Sequence, residues 1–513
     1  MATRARWAGA RLSAVVAASA VLVGSVGLTS AHAAVSPTLG YDAQADKGSL
    51  YNIAGVVGAL DAYRLGITGR GVGVALIDTG VTRVAGLNSG NVVNGPDLSF
   101  DSQDPATSNV DGFGHGTHLA SIIAGRTAVG TPASYTDPAR FTGIAPDANL
   151  VNVKVGSANG DVDVSQVIAG INWVVEHRRD EGLNIRVINL SYGTDSVQPS
   201  QVDPLAYAVE QAWLNGIVVV VAGGNEGDST TNLANPASDP HVLAVGAMDS
   251  AGTVATADDT VPSWSTDGTD ARHVDVTAPG VSVLGLRSPA SAADTQNPGA
   301  RVGTQFLRGS GTSQAAAVVS GEAALLLQAM PNLTPDQVKQ ILMGSASGLN
   351  NVSARMEGSG TTDLRQALRS VPRTVVDPAP WGTGTGSLEA SRGSFHIVVG
   401  DGTAEETTLL GEVDVFGRAW NAVQWARDTQ KGKTWRDGAW MGNTLTARGW
   451  TNTGEAHKSW PTATWTSAGA VLADGEWAGR MWRDGEWAGR MWRDSAWSGR
   501  MWRSGGFSSA GWF

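Results

Sequence analysis

Three short segments hold the residues that could do nucleophilic chemistry. Asp78 closes the apolar run VGVALIDTG, His115 sits in GHGTH, and Ser313 sits in GSGTSQAAA. A serine hydroxyl attacks weakly on its own. It needs a base within hydrogen-bond reach, and that base needs a third group to hold it. A carboxylate at the end of a strand, an imidazole opening a helix and a hydroxyl opening a later helix suit such a relay. Strand ends converge on the crevice where α/β proteins place their sites. Residues 313–329 are nearly all helix-forming, so the free N–H groups and dipole beside Ser313 favour a developing oxyanion. Gly309, Gly311 and Thr312 keep the approach to that hydroxyl uncrowded. The chain has no cysteine, which excludes disulfides, thiolate metal sites and cysteine nucleophiles together.

The elements that must position these residues lie between residues 41 and 371. Runs rich in Val, Ile and Leu at 72–77, 150–155, 187–190, 217–222 and 243–247 read as strands covered on both faces. Helical patterns at 164–179, 203–215, 313–329 and 334–343 alternate with them. The last opens Thr334-Pro335-Asp336-Gln337, a capping box with Pro at the first helical position. The expected fold is an α/β domain with a parallel sheet flanked by helices. A Trp-rich repeat tail, β-rich or partly disordered, follows it.

The order Asp, His, Ser and the local sequence around each resemble the subtilisin-like serine proteases, or subtilases, over roughly residues 41–371. The resemblance implies a serine endopeptidase with a subtilisin-like fold that acts on proteins or peptides. Asp78 would orient the histidine, His115 would be the general base and then the general acid, and Ser313 the nucleophile. A fourth block, VAGGNEG, makes the Asn225 amide the oxyanion-hole donor beside the Ser313 backbone N–H. Ser191, Tyr192 and Gly193 on one side, with Asn159 and Gly160 on the other, would sandwich an extended peptide. Ala222, Gly223 and Gly224 would line the primary specificity pocket and leave room for a large apolar side chain. Glu226 is either a rim acid that tolerates a basic side chain or a solvated surface acid. His118 is read as packing within its helix.

The chain departs from the family at Gln314, where Met is usual, and at Ala317, where Pro is usual. Only 44 positions separate Ala34 from Asp78, too few for the family's inhibitory propeptide beside a mature N-terminal segment. The chemistry requires no cofactor. No metal site can be placed, and although calcium is common in the family, Asp97, Asp101 and Asp104 read as solvated loop acids.

Composition bounds the rest. Lys and Arg number 36 against 47 acids, a net charge of −11, which argues against nucleic-acid partners. Residues 1–33 read as a secretory signal: Arg4, Arg6 and Arg11 precede an apolar stretch, and Ala31-His32-Ala33 forms the cleavage site. A secreted protein rather than an integral membrane protein is expected. Residues 34–371 form the peptidase domain, and 372–394, rich in Pro, Gly, Thr and Ser, read as a linker. Fifteen of the 19 Trp lie between Trp381 and Trp512, which sets off a module at 395–473 and decapeptide repeats at 474–513. Two copies are identical (DGEWAGRMWR), with Trp every five residues from Trp477 to Trp502. Three readings stay open for this tail: rings that bind a cell-wall polymer or another surface, rings that form the module's own core, or a disordered extension. A cut near Pro380 is expected to leave hydrolysis of short peptides nearly intact.

Overall fold

A computed structural model describes residues 39–227, 232–374, 378–400, 406–436, 439–446 and 449–452. Residues 1–33, read as a secretory signal, and the decapeptide repeats lie outside the described residues. Seven strands form one parallel sheet: β1 (Gly73–Asp78), β2 (Val92–Asp97), β3 (Asn149–Lys154), β4 (Ile185–Leu190), β5 (Val218–Ala222), β6 (Leu243–Met248) and β7 (Val276–Pro279). Their order is β2-β3-β1-β4-β5-β6-β7. The strand order therefore reverses around β1, whose neighbours are β3 and β4. A crevice opens at the carboxyl ends of the strands at such a switch point, and Asp78 is the last residue of β1, paired with Lys154 at the end of β3.

Of the inner strands, β1, β5 and β6 are buried along their whole length, as their apolar runs require, and β3 and β4 at all but one residue each. The five strands read from the sequence are present within two residues of their expected ends. Strands β2 and β7 were not anticipated. Both are edge strands that carry proline (Pro96 and Pro279), and β2 exposes Val93 and Asn94, so neither has the continuous apolar run of the interior.

The helix Thr312–Ala329 runs against β4, β5, β6 and β7. Residues 312–327 are all buried, which fits a helix that is small and apolar all round. Inside it Glu322 is held against Thr362, whose Oγ1 donates to its carboxylate over 2.7 Å. Burial pushes the Glu322 carboxyl up to about 8. The folded state therefore keeps a proton that the unfolded chain releases near pH 4.5, and stability falls as pH rises from there to about 8. Glu322→Gln removes that dependence. Urea titrations of the two proteins are expected to diverge by about 1 kcal/mol per pH unit between pH 5 and 8, with the variant gaining.

The region beyond residue 371 corrects the reading of a linker and a separate module. Gly382 N–H donates to the Glu210 carboxylate at 2.7 Å, and Gly386 N–H donates to the Val202 carbonyl at 2.7 Å. Trp381 stacks on His241 with ring centroids 3.7 Å apart. Farther on, Trp425 and Trp440 are fully buried, and both indole N–H groups reach the single Asn172 Oδ1 at 3.2 Å. Trp435 donates to the Ala169 carbonyl at 3.0 Å. Ala169 and Asn172 belong to the helix Val164–His177, so the extension covers that helix and shares the domain's core. The Pro/Gly/Thr/Ser composition signals irregular backbone, and irregular backbone can still be packed and hydrogen-bonded.

Candidate active site

Asp78 and His115 come together at the head of β1. The helix His115–Ala124 begins at the histidine, after Gly114 in a left-handed conformation. His115 Nδ1 lies 3.0 Å from both carboxylate oxygens of Asp78, and the two residues are 0% and 1% exposed. An ionised carboxylate only accepts, so Nδ1 carries the proton and Nε2 keeps its lone pair.

A web of smaller contacts fixes this pair. Thr79 N–H donates to Asp78 Oδ1 at 2.8 Å, while Thr79 Oγ1 donates to Asp111 at 2.8 Å and accepts from Gly116 N–H at 2.9 Å. Asp111 also accepts from Gly114 N–H and Thr117 N–H at 2.6 and 2.7 Å, which ties down the first turn of the histidine helix. Below it the buried Lys154 ammonium reaches Thr79 O at 2.9 Å, Val110 O at 2.6 Å and Asp101 at 2.8 Å. Asp97 is buried too and accepts from Ser99 and Asn109 N–H. Of the three acids read as solvated, only Asp104 is exposed, because Lys154 and the local N–H groups draw the other two inward. No group of three or more His, Asp or Glu suited to a metal occurs among the described residues. Lys154→Met leaves Asp101 without its cation and two carbonyls without a donor. A loss of about 3 kcal/mol in urea unfolding is expected, measured in an inactive Ser313→Ala background.

Ser313 is the second residue of its helix, and this helix packs on the histidine helix. Its side chain borders a cleft of about 250 Å³ lined also by Ser191, Tyr192, Gly193, Ala222, Gly224, Asn225, Glu226, Ala234 and Thr312. Asn225 is oriented from behind: Thr312 N–H and Thr312 Oγ1 both donate to its Oδ1, at 2.9 and 3.0 Å. Two donors on the oxygen assign the amide, and its NH₂ group faces away from Thr312. Gly224, at φ +118°, has no room for a side chain, since a Cβ would lie 2.8 Å from Glu226 Oε2 and 2.9 Å from Thr266 Oγ1.

Six of the expected residues thus line one cleft with Ser313: Ser191, Tyr192, Gly193, Ala222, Gly224 and Asn225. Gly223 is not among them. Its N–H donates to Val245 O at 2.9 Å and its open side faces Val274, so it extends the sheet instead. Asn159 and Gly160 also lie outside this cleft, in a turn closed by Gly160 N–H to Ser157 O and Asp161 N–H to Ser157 Oγ. Glu226 is 6% exposed, so it is not a solvated acid. It accepts from Asn225 N–H at 3.0 Å and from Thr266 Oγ1 at 3.2 Å. Burial, then the neighbouring His115, lowers His118 to about 3, so its ring is neutral and packs under Gly285. Gln314 and Ala317 are fully buried in the helix. Sequence reasoning missed Lys154, Asp111 and Ala234, and it gave Thr312 only the role of leaving the approach to Ser313 open. Thr312 lies inside a motif already singled out, but its role depends on a partner 87 positions away.

The family model described as Subtilase family matches residues 69–361, more than half of the chain. The chain belongs to the subtilase family. It is 36% identical over 308 residues to serine protease AprX of Bacillus subtilis (strain 168), covering 59% of this chain and 67% of that protein. Subtilisin Savinase of Lederbergia lenta is 33% identical, covering 60% of this chain and 94% of its own. Subtilisin DY of Bacillus licheniformis is 34% identical, covering 56% and 87%. A solved cold adapted subtilisin-like serine proteinase is 30% identical with a TM-score of 0.43, covering 58% of this chain and 88% of that one. The subtilase is therefore a serine endopeptidase, a hydrolase whose substrates are proteins. No helix among the described residues is long and apolar enough to cross a membrane.

Proposed function

We propose that this subtilase is a secreted endopeptidase that cleaves through an acyl-enzyme on Ser313. The observation that carries the reading is the contact of His115 Nδ1 with both Asp78 oxygens at 3.0 Å, next to a helix whose Ser313 borders a cleft shared with Ser191, Gly193 and Asn225. Ser313 Oγ attacks the scissile carbonyl carbon while its proton passes to His115 Nε2. Asp78 stabilises the imidazolium that forms and stays ionised itself. The carbonyl oxygen becomes an oxyanion, which accepts from the Asn225 NH₂ and the Ser313 N–H. The C–N bond then breaks as His115 returns its proton to the leaving amine. Water repeats the cycle on the ester, releases the acid and restores the hydroxyl.

The extended substrate runs between the edges at 191–193 and 159–160, with a large apolar side chain in the pocket at Ala222 and Gly224. Residues 1–33 direct export and are then removed, and the Trp repeats serve contact with a polymer or surface. A fluorophosphonate probe tests the core of this reading. Ser313 is expected to label in folded protein, and absence of labelling would mean a silent fold that only binds peptides. Cleavage of a diverse peptide library by wild type beside Ser313→Ala then gives the side-chain preference. Asn225→Ala removes the oriented donor and is expected to lower kcat by about 10²–10³ with KM little changed, the size of loss known for this donor in subtilisin.

A further inference from the structure

The extension beyond residue 371 does more than cover apolar helix faces. Its helix Leu388–Arg392 is wedged between the two segments that follow the expected substrate edges. On one side Arg392 Nε donates to Asp163 Oδ2 at 2.6 Å, and both side chains are 1% exposed. Asp163 stands three positions after Gly160 and caps the helix Val164–His177 by accepting from Ser165 N–H. The rest of the guanidinium is spent on Glu389 at 3.0 Å, Gly411 O at 2.8 Å and Val413 O. On the other side Thr194 Oγ1, next to Gly193, donates to Ser391 O at 2.6 Å. Ser394 donates to Asp195 through both N–H and Oγ, at 2.8 and 2.6 Å. Tyr192 is buried close enough to this network for the Asp163 charge, after burial itself, to push its phenol well above the usual range.

The two edges expected to hold an extended peptide sit on separate loops, so whatever bridges those loops bears on their spacing. Here one short segment, residues 391–394, holds both, with the buried Arg392 fork on one loop and the Ser391 carbonyl and Ser394 on the other. We propose that residues 389–394 set the spacing of the edges at 159–160 and 191–193, with Arg392 as a positioning residue for the acyl-side residues of an extended substrate. The proposal rests on the proteolytic reading of the cleft. It makes the extension a determinant of substrate length preference, although it lies outside the stretch matched by the family model.

The test uses the full chain and two chromogenic substrates with the same scissile residue, one carrying a single acyl-side residue and one carrying four. Arg392→Met is expected to raise KM for the four-residue substrate about tenfold with kcat nearly unchanged, and to alter the single-residue substrate less than about twofold. Arg392→Lys, which keeps the charge but not the fork, is expected to recover part of the loss. Ser394→Ala leaves the buried ion pair intact and is expected to give the same split at about threefold, so a poorly folding Arg392→Met does not end the test. Equal losses on both substrates, or no change with either Arg392→Lys or Ser394→Ala, would overturn the proposal. A wild type that cleaves neither substrate would instead refute the protease reading.

Discussion

Ser313→Ala is expected to reduce kcat by about a millionfold while substrate still binds, the size of the same loss in subtilisin. The physical reason is that Asp78 and His115 act only through the hydroxyl. Without it the imidazole has no proton to take from a nucleophile, and only the oxyanion donors and the binding surface remain. His115→Ala is expected to cost a similar amount, and the double variant scarcely more, because the residues work as one unit. Pre-steady-state kinetics with an activated ester make the check concrete. Wild type gives a burst of acyl-enzyme and Ser313→Ala gives none. A burst in the variant would mean that the acyl group rests elsewhere.

The second large effect concerns the extension. Truncation after Pro380 is expected to prevent stable folding of the catalytic domain, the opposite of what the linker-like composition suggests. The cut strips Arg392 from a buried Asp163, and breaking such a pair costs about 3–5 kcal/mol by itself. It also uncovers Asn172, Ala169 and the apolar face beneath Trp425, Trp435 and Trp440. Together these losses rival the 5–15 kcal/mol by which a typical domain is stable. Far-UV circular dichroism and urea unfolding of the 34–380 fragment decide the matter. A cooperative transition at the wild-type midpoint would show that the extension is dispensable.

These cases also show where the sequence was readable. Inner strands such as Val218–Ala222 announce themselves because burial on both faces demands unbroken apolar residues. The Thr334 capping box was legible for a similar reason, since local hydrogen bonding selects residue types at fixed spacing. The triad positions were visible because their short motifs resemble those of a known family. What stayed hidden depends on distant pairs. Lys154 looks like a strand-end lysine until Thr79, Val110 and Asp101 are seen around its ammonium. Arg392 sits in an unremarkable stretch, 229 positions from Asp163, and nothing local marks either residue for the other. Glu226 reads equally as rim or solvent from its neighbours in sequence, and only its contacts with Asn225 and Thr266 place it inside.

The shared acceptor at Asn172 has a bearing on how the chain would survive its own activity. A nick in the peptide backbone between Arg392 and Trp425 severs no contact of either indole with that amide. The two pieces would migrate as separate bands on a denaturing gel yet travel together through a sizing column. Self-cleavage at that point would therefore leave the smaller piece seated on the larger through Trp425, Trp435 and Trp440.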